Sequence, residues 1–245
     1  WDLGWMNDTL KYYSKDPVYK KYEHGKLTFS MHYFFSENFL LPLSHDEVVH
    51  GKGTIINKMW GDYEQKFALV RNLYTYQFAH PGKKLNFMGN ELASFDEWDE
   101  NKSLPWNLKS YPKHDSVSRL IRDLNRIYQG EKAMHMQEHN PELFRWLMVD
   151  NADQSVFAFQ RKYQDETLVF VFNMTTNFYE SIRLPFLEEG TYEELFNSDK
   201  DVYGGWGQYN GLPLKTGKGS FEGLPYHLDI KLACLGACIF KKIKK

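Results

Sequence analysis

The chain has 245 residues, 42% of them hydrophobic and 25% charged, with 30 Lys and Arg set against 32 Asp and Glu. This composition excludes a disordered or collagen-like chain, and at roughly 150 residues per domain it predicts one large domain or two smaller ones. A net charge of −2 argues against non-specific nucleic-acid binding, and no apolar run approaches the roughly 18 residues of a membrane span.

With no signal-peptide pattern legible at its start, a cytoplasmic protein without a membrane or nucleic-acid partner is expected. Trp1, with no Met before it and heading a segment that begins in mid-pattern (WDLGWMNDTL), leads us to expect a piece of a longer polypeptide. The 18 Phe, 16 Tyr and 7 Trp are a rich supply of the faces on which sugar rings stack, although most aromatics belong to cores. The two cysteines, Cys234 and Cys238, fall in a stretch that reads as one strand, where their spacing of about 13 Å forbids a disulfide between them.

In chain order, Leu27 to Glu37 reads as helical and Phe39 to Leu43 as a short buried strand that runs into the polar cluster Ser44-His45-Asp46-Glu47. Asp62 stands at an N-cap position with Gln65 as its capping-box partner, which predicts a helix through Phe67, Val70, Leu73 and Tyr74 to the stop at Pro81-Gly82. Lys84 to Met88 is the next strand and again ends in polar residues, Gly89-Asn90-Glu91. Val117, Leu120, Ile121, Leu124, Ile127 and Tyr128 recur at helical spacing up to Gly130. The first half therefore repeats strand, loop and helix.

After about residue 142 the pattern changes to closely spaced strands: 143–149, 155–162, 167–173, 178–184, 191–196, 225–230 and 233–241. That spacing predicts an antiparallel sandwich. Asp201 to Gly219, rich in glycine, reads as a long surface loop, and Lys241 to Lys245 as a solvated tail.

Serine and cysteine nucleophile signatures are absent, so the chemistry falls on His45-Asp46-Glu47-Val48-Val49-His50-Gly51-Lys52. A zinc helix needs histidines at i and i+4, but His45 and His50 are one residue further apart, about 140° around a helix. A phosphate loop fails too, because Gly51-Lys52 is followed by Gly53 and Asp46 stands where the first glycine belongs. There remain a carboxylate and an imidazole at the C-terminal end of a strand, where a parallel barrel carries its active site. On spacing alone, an Asx turn at Asp46 and a loop hydrogen bond at His45 are the commoner arrangement for such residues.

The run LPLSHDEVVHGKG from Leu41 to Gly53 closely resembles the fourth sequence region of glycogen (1,4-alpha-glucan) branching enzymes, in the alpha-amylase superfamily. WDLGWMNDTL, FMGNELASFDEW (Phe87–Trp98), RLIRDLNRIY (Arg119–Tyr128) and NSDKDVYGGWG (Asn197–Gly207) follow in the family's order, so the resemblance covers essentially the whole chain. It implies the C-terminal portion of a (β/α)8 TIM barrel over residues 1–135, followed by an antiparallel β-sandwich over 136–245. It also implies cleavage of an alpha-1,4 glucan through a covalent glycosyl-enzyme and transfer of the chain to a C6 hydroxyl.

In that chemistry Asp46 would be the third, transition-state-stabilising carboxylate, and His45, Glu47, Lys52, Glu91 and Trp98 would contact the glucan. The family's nucleophile and acid/base motifs precede the WDLGWM region and are not found here. The resemblance therefore implies an isolated chain that is inactive without the remaining N-terminal part of the same enzyme, and whose unclosed barrel edge is prone to pair. No metal or organic cofactor is implied.

Pro105 departs from the acidic residue that relatives usually carry before Trp106. Trp60, Trp98 and Trp106 are candidates for sugar stacking or for core packing, and Tyr203, Trp206 and Tyr209 for surface glucan contacts or loop self-packing. A glucan-binding or purely structural module is the competing reading.

Overall fold

The computed structural model describes residues 1–243. The chain opens with helix α1 (Leu3–Tyr13), whose first turn is capped by the Asp2 carboxylate accepting from the Trp5 N–H at 2.8 Å. Short helices α2 (Pro17–Lys20) and α3 (Gly25–Thr28) follow. The expected helix over 27–37 is instead α3 and two 3-10 turns, Phe29–His32 and Phe34–Ser36.

Strand β1 (Leu40–Leu43), helix α4 (Tyr63–Ala79) and strand β2 (Lys83–Asn86) form a strand–helix–strand unit, with β1 and β2 parallel from Leu40↔Lys83 to Leu43↔Asn86. The capping box at Asp62 and Gln65 is present with both of its hydrogen bonds. Helix α5 (Pro112–Gly130) begins earlier than the apolar spacing suggests, because Pro112 occupies the first turn, where its missing N–H costs nothing. No helix among the described residues is long and apolar enough to cross a membrane.

The second half is all antiparallel. Strands β3 (Phe144–Met148), β4 (Val156–Tyr163), β5 (Glu166–Asn173), β6 (Tyr179–Phe186), β7 (Thr191–Asn197), β8 (Leu214–Lys215), β9 (Gly217–Phe221), β10 (Leu224–Leu232) and β11 (Ala237–Lys242) make two sheets. One is six-stranded in the order β3-β4-β5-β11-β7-β8, the other three-stranded in the order β6-β10-β9. The parallel pairing among the described residues is confined to β1 and β2.

The six-stranded sheet is buried on both faces, and its two-residue period divides the strands between two cores. Phe157, Phe159, Leu168, Phe170, Phe172, Ala237 and Ile239 join the core formed with the helices. Val156, Ala158, Val169, Val171, Cys238 and Phe240 join the core shared with the three-stranded sheet. Each fully buried large side chain in either core stabilises by about 1.5–3 kcal/mol.

Helix α4 is the opposing surface: from Phe67 to Ala79 every residue is buried, so it is a core helix rather than an amphipathic one. Its Tyr76 ring meets Phe172 edge-on at 5.5 Å. Polar side chains fix the contact. The Asn72 amide faces the carbonyls of Asn173, Leu235 and Gly236 at 3.0–3.2 Å, while its oxygen accepts from the Tyr13 hydroxyl at 2.7 Å. Arg71 Nε donates to Ser198 O at 2.8 Å, and Arg161 on β4 donates to Ala79 O and Met134 O, a cation closing the C-terminal end of α4.

Three expectations need correction. The 201–219 segment is not one surface loop: it contains β8 and the start of β9, and its Tyr203 is buried with its hydroxyl donating to Asp123 at 3.1 Å, so Tyr203 is no surface contact. A Cβ on Gly205 would lie 2.1 Å from Asp199 O, which ties that glycine to close backbone packing. Cys234 sits in the turn between β10 and β11 while Cys238 lies in β11, so they do not share one strand; both are free. Lys241 and Lys242 belong to β11 and pair with Glu131 and Glu188 instead of forming a solvated tail; Lys244 and Lys245 lie outside the described residues.

Lys20, at the end of α2, is fully buried, its amine lying 5.3 Å from the Tyr12 ring centroid and 5.7 Å from that of Tyr13 without a hydrogen-bond partner. Burial pushes its pKa down to about 7, against a smaller opposing effect of Asp16. Between about pH 7 and the unfolded value near 10.4 the unfolded chain therefore binds the extra proton, and stability rises with pH across that window. Lys20→Met should raise the melting temperature at pH 7 and flatten the rise, as read from thermal unfolding over pH 6–10; an unchanged melting temperature contradicts this. Asn72→Ala strands buried backbone carbonyls and should cost roughly 2–4 kcal/mol in urea unfolding.

Candidate active site

Strand β1 ends at Leu43, and after the buried, extended Ser44 the chain turns through a single 3-10 turn, His45–Glu47. The turn lifts His45 and Asp46 out of the core. Their side chains are 51% and 61% exposed, with His45 Nε2 3.2 Å from Asp46 Oδ1. The His45 ring is backed by Phe87, centroids 5.8 Å apart, and Phe87 in turn meets Trp98 edge-on at 5.3 Å. An imidazole held beside a carboxylate and open to solvent is a paired donor and acceptor suited to vicinal hydroxyls.

The end of β2 lies alongside. The Phe87 N–H extends the ladder to Leu43 O at 2.9 Å, and Gly89, at φ +91°, leads into the 3-10 turn Asn90–Leu92. Asn90 is buried and donates to Leu43 O and Asn86 Oδ1, both at 3.1 Å, while its own carbonyl accepts from the Tyr74 hydroxyl of α4 at 2.9 Å. One residue thereby joins the ends of both strands to the helix between them. Glu91 closes on its own loop, its carboxylate accepting from the Gly89 N–H at 2.9 Å.

A cleft of about 750 Å³ opens between the two loops, lined by Val48, His50 and Ile55 on one side and by Asn90, Phe95 and Trp98 on the other. Trp98 is thus the one predicted contact in its lining; His45, Asp46 and Glu47 adjoin it through Val48, and Lys52 is exposed nearby in sequence. Trp60 is half-buried against the core, whereas Trp106 is 57% exposed.

Residues 146–243, which cover most of the two-sheet half, match the family model described as "Alpha amylase, C-terminal all-beta domain". Across the whole chain, identity is 46% over 243 residues to the 1,4-alpha-glucan branching enzyme of Aquifex aeolicus, covering 98% of this chain and 39% of that one. It is 42% over 247 residues to the enzyme of Geobacillus stearothermophilus, covering 100% and 39%. Over its whole length the chain is thus similar to a stretch of these 1,4-alpha-glucan branching enzymes. It spans 39% of the length of these relatives. A crystal structure of AmyP in complex with maltose shares the fold at a TM-score of 0.66 and 12% identity, covering 98% of this chain and 49% of that one.

The run from His45 to Lys52 is held in place by residues that sequence reasoning missed. The Glu97 carboxylate accepts from the Gly51 N–H at 2.9 Å and the Gly53 N–H at 2.6 Å, and these two bonds hold its pKa below the usual carboxylate range. Lys58 donates to Glu47 O at 2.5 Å and to Lys52 O at 2.7 Å, its amine pushed down by burial and held up by Glu47 and Glu97. Trp98 N–H donates to Val48 O at 3.0 Å. The dipeptide Glu97-Trp98 stands inside FMGNELASFDEW, but nothing in its spacing points to a partner more than forty residues earlier.

Proposed function

We propose that this chain is the C-terminal part of a 1,4-alpha-glucan branching enzyme and supplies the carboxylate, Asp46, that stabilises the transition state of glucan transfer. In this reading residues 1–135 are the closing strand–helix units of a parallel (β/α)8 barrel and residues 136–245 a β-sandwich that braces them. The nucleophile and the acid/base belong to the remaining part of the same cytoplasmic enzyme. The observation that carries the proposal is the placement of His45 and Asp46, paired and open to solvent at the C-terminal end of a parallel strand beside a cleft.

The reaction breaks the bond between C1 and O4 of an alpha-1,4 glucan. The nucleophilic carboxylate takes C1 and the acid protonates O4; a C6 hydroxyl then attacks C1 and gives its proton to the same acid/base, regenerating both groups. As positive charge develops on the ring, the ring hydroxyls become stronger donors. Asp46, an acceptor in its ionised form, binds them more tightly then than in the ground state, and that difference accelerates the step. His45 donates to the same sugar, Trp98 offers an apolar face in the cleft, and Glu47, Lys52 and Glu91 complete the glucan contacts.

On amylose, the isolated chain should leave iodine absorbance flat while it is retained by glucan in a pull-down. In a branching enzyme that carries this sequence whole, Asp46→Ala should lower kcat about 10²-fold or more with little change in glucan affinity. Enzyme-like turnover by the isolated chain, or near-normal turnover of the variant, contradicts the proposal.

A further inference from the structure

The loop after β1 bends through three consecutive or near-consecutive left-handed residues, His50 at φ +52°, Gly51 at +83° and Gly53 at +78°. Such a path leaves backbone N–H groups without strand or helix partners, so something outside the loop must satisfy them. Glu97 supplies that partner. Its two oxygens take the Gly51 and Gly53 N–H groups separately, at 2.9 and 2.6 Å, a two-pronged clamp between the loop after β1 and the segment after β2.

The neighbouring contacts act in the same direction. Trp98 N–H holds Val48 O, Asn57 Nδ2 donates to Phe95 O at 2.8 Å, and the Trp98 ring meets the Phe87 ring that backs His45. The 94–98 segment therefore grips the 45–57 loop at both its ends. We propose that Glu97, which lines the cleft but has both oxygens engaged by the Gly51 and Gly53 N–H groups, is a positioning residue for transfer: it sets the loop that carries His45 and Asp46. The inference rests on the assignment of Asp46 to the reaction, and it predicts that Glu97 acts through Asp46.

Charge matters to this role as well as shape. Two N–H donors aimed at one side chain need two acceptors, which an ionised carboxylate has and an amide lacks, since the NH2 of a glutamine would face one N–H head-on. Glu97→Gln keeps the volume and breaks one prong. Glu97→Asp keeps the charge but is one methylene short of spanning both donors.

The test uses a branching enzyme carrying this sequence whole, with Glu97→Gln, Glu97→Asp, Asp46→Asn and the Glu97→Gln/Asp46→Asn double variant. Amide hydrogen exchange at Gly51 and Gly53 is followed in the isolated chain. Glu97→Gln should lower kcat about tenfold, with KM within about twofold and an unchanged melting temperature. Glu97→Asp should fall between it and the wild type, and exchange at Gly51 and Gly53 should accelerate selectively.

The double variant should be no slower than Asp46→Asn alone, because a residue that acts through another has nothing left to position. Turnover of Glu97→Gln within twofold of wild type overturns the proposal, as does a double variant whose losses multiply. If Asp46→Asn itself turns over normally, the assignment of Asp46 has failed and the positioning role falls with it; if only Asp46→Asn is impaired, the assignment stands and the role of Glu97 is rejected.

Discussion

Everything else in this molecule depends on one contact, the apolar face of the six-stranded sheet laid against α4. A sheet of alternating Phe, Val and Leu exposes too much apolar area on either side to leave one face in water, and here neither face is left. The three-stranded sheet covers one and the helices cover the other. Because α4 is buried around its whole circumference, neither half could keep its core if separated from the other by a small displacement. The polar side chains in the contact, Arg71, Asn72 and Arg161, add register to what packing alone leaves approximate, since each meets particular backbone carbonyls.

From that contact the site geometry follows. Helix α4 connects β1 to β2 and, through Tyr74 and Asn90, fixes the C-terminal ends of both strands at the same level. Gly82 at the head of β2 is anchored in turn by Glu138, a buried carboxylate whose pKa, against the upward push of burial, is kept below its ordinary value by Lys84, Lys83 and Arg161. The two loops that leave these strand ends are left to be joined to each other, and Glu97, Trp98 and Asn57 do so beside the cleft. The sandwich thus serves the proposed chemistry at a distance: it holds the helix, the helix holds the strand ends, and the strand ends present His45 and Asp46.

Much of this order was legible in the residues themselves, for identifiable reasons. The capping box at Asp62 and the apolar spacing of α5 are local signals, and local signals survive folding. The central strands were legible by length and by β-branched and aromatic content, though not by alternation, because both faces of Phe157–Phe159 and Leu168–Phe172 are buried. Strands β8 and β9 were missed because Gly217, Lys218 and Gly219 carry no apolar signal on an exposed edge.

Lys241 and Lys242 misled in another way, since a lysine reads as solvent-facing until its partners are known. The site divides along the same line. Spacing alone left His45 and Asp46 open between a loop turn and chemistry, and it was resemblance to a family that pointed to chemistry. Glu97 depends wholly on a contact between distant loops, which no pattern within either loop announces.

The most direct test of the account asks where a glucan lands. Titration of the isolated chain with maltoheptaose, followed by two-dimensional NMR of backbone amides and histidine rings, should shift resonances in the 45–53 loop, the His45 ring and the 89–98 segment, with Asp46→Ala weakening that response little. Shifts confined to the 136–243 sheets, or none at millimolar sugar, would contradict the assignment of this strand end to the substrate cleft.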